Sequence, residues 1–326
     1  MTFSFGIENI LVPSYRGRLT EGITYDPRND TLIWIDIIVG EVHRINLQNP
    51  NTTHEILKWK NPQESVGAIA LTKNENVLVV CSKYGLAKGD FTTGELEYFF
   101  KYPHDQQQQV RLRSNDGIVD PWGHLWIGVM NDFNVTTTEG VQPEGKLYRI
   151  NTTDFTIETM VDNTLIANGL AFSEDGKNLF WTDSLTFTIW KYDYDYKTNT
   201  LSNKTPFIKT KEIYPDFESP EPDGLTMTKN GEIYTTIFST STILHVNNQG
   251  EVVEKIQLPA KRITCTTIGG KEGNELFVTT GHLELEKEYC DSRPEDKDGD
   301  LGGFLFSLKL DRNLNGQQKN IWGGEL

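Results

Sequence analysis

Six times along the chain a turn of small polar residues introduces a short strand of β-branched and aromatic residues, and this recurrence narrows the choice of fold more than any other feature. The strands are centred on Ile33-Trp34, Val79-Val80, Trp126-Ile127, Phe180-Trp181, Tyr234-Thr235 and Phe277-Val278. The turns before them include Arg28-Asn29-Asp30, Trp122-Gly123, Asp175-Gly176, Asn230-Gly231 and Gly273-Asn274. Aligned on those turns, Gly22, Gly67, Gly117, Gly169, Gly224 and Cys265 occupy equivalent places, separated by 45, 50, 52, 55 and 41 residues. Each repeat then reads as a strand through the aligned position, the apolar strand, a third such as Glu41-Val42-His43-Arg44-Ile45, and a fourth. Four-strand units with a period of about 40–50 residues belong to β-propellers, where every sheet packs its faces against two neighbours. The prediction is an all-β chain, a six-bladed β-propeller around a central channel. Residues 1–326 form a single domain in this reading, because no linker or composition shift divides them. Segment 7–12 is the candidate to close the ring by completing the last blade.

Charge excludes some partners. Lysine and arginine number 31 against 46 acidic residues, a net charge of −15, and no basic stripe interrupts the excess. Such a surface repels phosphate backbones and anionic lipid, so neither nucleic acid nor membrane is expected as a partner. The first residues lack a basic region followed by a sustained apolar run, and a cytoplasmic protein is expected. Cys81, Cys265 and Cys290 are odd in number and widely spaced, and read as free thiols rather than as a disulfide framework or a zinc-thiolate site.

The residues just before the aligned positions carry the chemistry. Glu21, Asp116, Asn168 and Asp223 each precede their glycine, although the tight turn of each repeat is already supplied elsewhere. In a propeller the first strand of every blade lines the channel, so these side chains are expected to face one another. Converging carboxylates repel, and a divalent cation resolves the repulsion. Oxygen ligands from Glu21, Asp223 and the amide of Asn168 suit calcium, magnesium or manganese and permit zinc, while none of the six histidines shares a repeat position.

These residues resemble the SMP-30/gluconolactonase/luciferin-regenerating-enzyme-like family, the regucalcin-like sugar lactonases. The carriers are Thr20-Glu21-Gly22-Ile23, Arg113-Ser114-Asn115-Asp116-Gly117, Asn168-Gly169-Leu170-Ala171-Phe172 and Pro222-Asp223-Gly224-Leu225, whose order and spacing extend over nearly the whole chain. The resemblance implies a six-bladed propeller with one divalent cation, calcium or zinc first, with magnesium and manganese also compatible. It implies that Glu21, Asn168 and Asp223 bind the metal, that Arg113 and Asn115 face the substrate, and that Asp116 is a structural acceptor. One departure is Phe133, which stands where some sugar lactonases place an acidic substrate contact; Asp132 could replace that contact only with a backbone shift.

The chemistry expected is hydrolysis of a sugar-derived lactone, with the cation polarising the carbonyl, Arg113 and Asn115 orienting the ring, and Asp223 as general base. A metal-bound hydroxide is the competing account of the attack. No G-x-S-x-G elbow is present, and Cys265 is expected to pack in the first strand of its blade. A phosphotriester hydrolase and a non-catalytic binding propeller are the alternative functions. Asp296-Lys297-Asp298-Gly299-Asp300 imitates the start of an EF-hand, but Leu301 and Ser307 stand where glycine and a bidentate glutamate are needed. The stretch 284–300 reads instead as an acidic insertion in the sixth repeat, placed to cover the channel mouth and, with Phe133, to tune which lactone enters.

Overall fold

The computed structural model describes residues 2–61, 64–285 and 299–326. Six antiparallel sheets follow one another along the chain, each strand pairing with the next, and together they form a six-bladed β-propeller. The inner strands are Thr20–Asp26, Val66–Leu71, Leu112–Val119, Ala167–Phe172, Glu221–Met227 and Arg262–Gly269, one per blade. Each packs against the inner strand of the next blade, and the sixth returns to the first. All six aligned positions of the sequence repeat lie on these strands.

Burial falls from the axis outward, and the residue pattern follows it. Val66–Leu71 and Val77–Ser82, the two inner strands of blade 2, are buried throughout and read VGAIAL and VLVVCS. The outermost strand of the same blade, Glu95–Lys101, alternates exposed and half-buried residues because only one face meets a neighbour. Trp34, Trp126 and Trp181 sit on second strands with almost no exposure and fill the space between blades. The hairpin joining the first two strands takes a left-handed residue in five blades: Asp30, Gly123, Gly176, Gly231 and Gly273. Those are the turns read from the sequence.

The aligned glycines answer a different demand. A Cβ on Gly67 would lie 2.4 Å from the backbone of Ser114, one on Gly169 2.4 Å from the carbonyl oxygen of Asp223, and one on Gly224 2.8 Å from the Cα of Cys265. Neighbouring inner strands therefore touch backbone to backbone, and only glycine admits the approach. At this level every inner strand also slips register against its partner, with shifts at Glu21/Thr24, Val66/Ala68, Ser114/Gly117, Asn168/Leu170, Pro222/Leu225 and Ile263/Cys265. A bulge repeated in all six blades bends each strand and re-aims the residue before the glycine.

Segment 7–12 meets the outer strand of blade 6 as expected, but with an irregular pairing, and a further strand precedes it. Thr2–Ser4 pairs in parallel with Val252–Gln257 and adds a fifth strand to blade 5. Residues Ile7–Asn9 form one 3-10 turn, and only Ile10 bridges Phe306 of blade 6, with the Leu11 amide donating to Leu305 at 2.9 Å. Asn9 explains the short pairing, since its amide takes the Gly6 N–H and donates to the Ser307 carbonyl in place of a backbone ladder. Cys81 and Cys265 are free and buried, whereas Cys290 and most of 284–300 lie outside the described residues. Among the described residues no helix is long and apolar enough to cross a membrane.

Two outcomes follow from the packing. Gly67→Ala is expected to lower unfolding stability by about 1–3 kcal/mol, as overpacking a tight core does, seen as a lower urea midpoint at unchanged slope. Because the first and last segments are tied to different blades, calorimetry on the intact chain is expected to give a single unfolding transition.

Candidate active site

The inner strands all enter the ring from one side, and their first residues meet there. Glu21, Arg113, Asn115, Asn168 and Asp223 lie in the early part of four inner strands and are each less than 8% exposed. The bulge fixes their orientation by a bond repeated around the ring. Glu21 Oε2 accepts the Gly22 N–H at 2.9 Å, Asp116 Oδ1 that of Gly117 at 2.7 Å, and Asn168 Oδ1 that of Gly169 at 3.1 Å. The glycine amide, released from the ladder by the bulge, is satisfied by the side chain just before it.

The structure brings the five residues together. The Asn168 amide nitrogen donates to Asp223 Oδ1 and, at 3.1 Å, meets the Ser184 hydroxyl. Arg113 Nη1 donates to Asn115 Oδ1 and to the Ser114 carbonyl, both at 2.9 Å, and the Asn115 amide donates to the Ala167 carbonyl at 3.0 Å, beside Asn168. Arg113 Nη2 lies 3.3 Å from Met130 Sδ, and its Nε is buried without a hydrogen-bond partner.

Electrostatics mark the cluster as strained without a cation. Burial, then the nearby Asp116 charge, pushes the Glu21 carboxyl up from 4.5 to about 8, against the Gly22 amide, the Cys265 thiol and Arg113. Burial, with Glu21, Asp116 and Glu221 adding to it, holds Asp223 well above the usual carboxylate range despite the Asn168 bond. The Arg113 guanidinium is drawn down to about 10 by burial, although Asp132, Glu21 and Asp223 favour its charge. Among the described residues no three His, Cys, Asp or Glu side chains are placed to hold a metal, so a cation here needs the Asn168 amide as well as Glu21 and Asp223. The residues fit one: two buried carboxylates repel, and Asn168, which bonds Asp223, brings a neutral amide whose oxygen could serve as a third ligand.

Residues at the mouth came out unevenly in the sequence. Phe133 opens the helix Phe133–Glu139, and its ring lies 4.5 Å from the Arg113 guanidinium. Asp132 caps that helix and pairs with Lys83, so its carboxylate is committed to a bond between blades 2 and 3. Ser184, which meets the Asn168 amide, and Lys83, which pairs with Asp132, were not among the residues the sequence singled out. Asp116 is half-buried and lines the axial cavity beyond the cluster. Cys265 is buried on the inner strand of blade 6 and borders the same cavity.

Residues 19–282 match the family described as SMP-30/Gluconolactonase/LRE-like region. The chain belongs to this family. The cell growth-regulated gene 1 protein of Candida albicans is 58% identical over the whole of both chains. The pentonolactonase XacC of Haloferax volcanii is 26% identical, with 90% of this chain and 91% of that protein aligned. The solved structure of a calcium-binding protein, regucalcin, from Agrobacterium tumefaciens superposes over 99% of both chains with a TM-score of 0.81 at 21% identity, a likeness of fold. The family match includes every blade's inner strand, and with it all five clustered side chains.

The raised Glu21 carboxyl has a defined pH consequence. Its folded-state value lies above the unfolded one, so the stability it contributes is whole below about 4.5 and is lost as pH rises towards 8. In chelator, Glu21→Gln is expected to melt several degrees above the parent at pH 8, with the gap closing near pH 4. Added divalent cation is expected to raise the melting temperature of the parent and leave the variant unmoved.

Proposed function

We propose that the chain is a metal-dependent hydrolase that opens a sugar-derived lactone, with Asp223 as the general base. The observation that carries this reading is the meeting of two buried carboxylates of raised pKa with an amide and a buried arginine that keeps an unused donor. Membership of a family whose members include a pentonolactonase supports the substrate class. Glu21, Asn168 and Asp223 would hold one divalent cation, calcium or zinc first and magnesium or manganese next. When bound, the cation supplies a Lewis acid that polarises the lactone carbonyl.

The protein's own groups do the rest. The planar fork of Arg113 is held by Ser114 and Asn115, so that little freedom is lost when it orients the lactone. Phe133 covers the Arg113 guanidinium and turns one wall of the mouth aromatic, which favours the apolar face of a sugar ring over an acidic contact to its hydroxyls. Asp223 takes the proton of the attacking water as the new C–O bond forms, and returns it to the ring oxygen as the old C–O bond breaks. The product acid then ionises, and that proton is the assay signal. The free, buried thiols of Cys81 and Cys265 suit a reducing compartment, in keeping with a cytoplasmic enzyme.

The decisive experiment is proton release from aldonolactones, gluconolactone first, by chelated protein before and after calcium, zinc, magnesium or manganese is restored. Turnover is expected to return with the ion, and Asp223→Asn to lower kcat at least about a hundredfold, as loss of a general base does. Arg113→Lys is expected to raise KM with a smaller change in kcat. Absence of turnover with every ion, despite tight cation binding, would sink the lactonase reading and send the same assay to phosphotriesters and then to a binding role.

A further inference from the structure

The chain's last residues run across the far side of the ring, opposite the candidate active site. The Lys229 amide donates to Asn315 and the Gln317 amide to Met227, while Gly316 bridges Thr228, so this segment is tied to blade 5. A few residues later the Asn320 amide donates to the Val119 carbonyl of blade 3 at 2.9 Å, Ile321 bridges Leu71, and the Trp322 N–H donates to Leu71 of blade 2 at 2.8 Å. Trp322 is wholly buried among Ala68, Leu86, Val119 and Ile150 of blades 2 and 3 and anchors that end. Between the two attachments the backbone must pass over the axis, and the residue there is Lys319.

Lys319 and Asn320 line an axial cavity of about 30 Å³ to which the inner strands of all six blades contribute, through residues such as Gly22, Ala68, Asp116, Leu170, Leu225 and Cys265. Asp116 is the only carboxylate among the residues lining it. The cavity is the size of one or two water molecules, enough to bridge the ammonium and the carboxylate. The early residues of the inner strands thus hold Glu21, Asn168 and Asp223, and their later residues enclose Asp116 beside a lysine brought in by the tail.

We propose that Lys319 is a built-in counter-ion, a positioning residue that neutralises Asp116 from the far side of the ring and moderates cation affinity at Glu21, Asn168 and Asp223. This rests on the metal reading above. Three carboxylates, Glu21, Asp116 and Asp223, share the axis with two fixed cations, Arg113 and Lys319, which leaves the ion-free set within one charge of neutrality. Without the lysine, the ion-free set would carry two uncompensated negative charges. Burial raises both the Asp116 carboxyl and the Cys265 thiol, and the lysine charge offsets part of each rise. The sequence repeat could not disclose the pair, because the tail belongs to no repeat.

Two measurements test it. In chelator, Lys319→Met is expected to lower the melting temperature of the parent, and to lower it by less in the Asp116→Asn background. This readout needs no metal and therefore stands even if the parent binds none, a result that would remove the metal reading instead. Calorimetric titration with calcium and with zinc is expected to give one site in the parent. Lys319→Met should bind about tenfold more tightly, because a nearby repelling charge is gone, and Lys319→Arg should keep the parental affinity. Asp116→Asn in the Lys319→Met background is expected to restore affinity to within about threefold of the parent. A merely structural lesion in the strap would weaken metal binding rather than strengthen it. Strict additivity of the melting temperatures, or unchanged or weaker cation binding in Lys319→Met, would overturn the proposal.

Discussion

Contact between the backbones of adjacent inner strands is the constraint on which the rest of this molecule depends. Six strands converging on one axis leave no room for a Cβ where they come closest, as the short approaches at Gly67, Gly169 and Gly224 record. A flat ladder would leave each side chain before the glycine pointing along the sheet. The bulge lets the glycine pass close to the neighbouring blade, and it turns the preceding side chain back so that its oxygen closes on the glycine amide. Tight packing and inward-facing oxygen ligands are therefore one local structure, repeated.

That arrangement sets stability against function. Glu21 and Asp223 are buried, close in charge, and held far above the usual carboxylate range, so the ion-free ring carries unfavourable electrostatics at its centre. The unfavourable charge is confined to the axis, where the surrounding sheets over-determine the backbone. Elsewhere buried charge is paired: Glu41 is bonded to Lys58 and faces His43, which hold its carboxyl down at about 2 against burial, and both nitrogens of His245 meet carboxylates. A group left unsatisfied in a protein that pairs its charges this carefully points to a ligand that belongs there.

The blades were legible because their period is written in residues that only a turn or a close approach requires, and Glu21, Asn168 and Asp223 were legible because they repeat before those glycines. What escaped has no period. Lys319 reaches the axis from the tail, and Lys83 meets Asp132 from a loop of the neighbouring blade. Segment 7–12 does meet the outer edge of the last blade, but as a single bridge at Ile10, because the Asn9 side chain does the work of a ladder; the added strand Thr2–Ser4 on blade 5 was not foreseen. The contact of Phe133 with Arg113 was anticipated only as a departure from a sugar-binding pattern, because sequence gives the residue and not the ring's position over the guanidinium.

The equivalent positions also show how a symmetric ring acquires a directional site. Blade 2 has Val66 there, fully buried, and contributes packing alone. Blade 6 has Thr264, whose hydroxyl donates to the Thr20 carbonyl at 2.6 Å, while Thr20 donates to the Thr280 carbonyl and accepts the Thr280 N–H. Those bonds sew the last blade to the first at the level of the ligands, so a carboxylate at Thr264 would give up the seam for charge. Blade 3 has Asp116, turned towards the far cavity and compensated by the tail. Blades 1, 4 and 5 place Glu21, Asn168 and Asp223 at the candidate site, and Arg113 and Asn115 of blade 3 flank them. The asymmetry follows from what each position already does for the ring: one packs, one closes the seam, one borders the far cavity, and the remaining three meet at the candidate site.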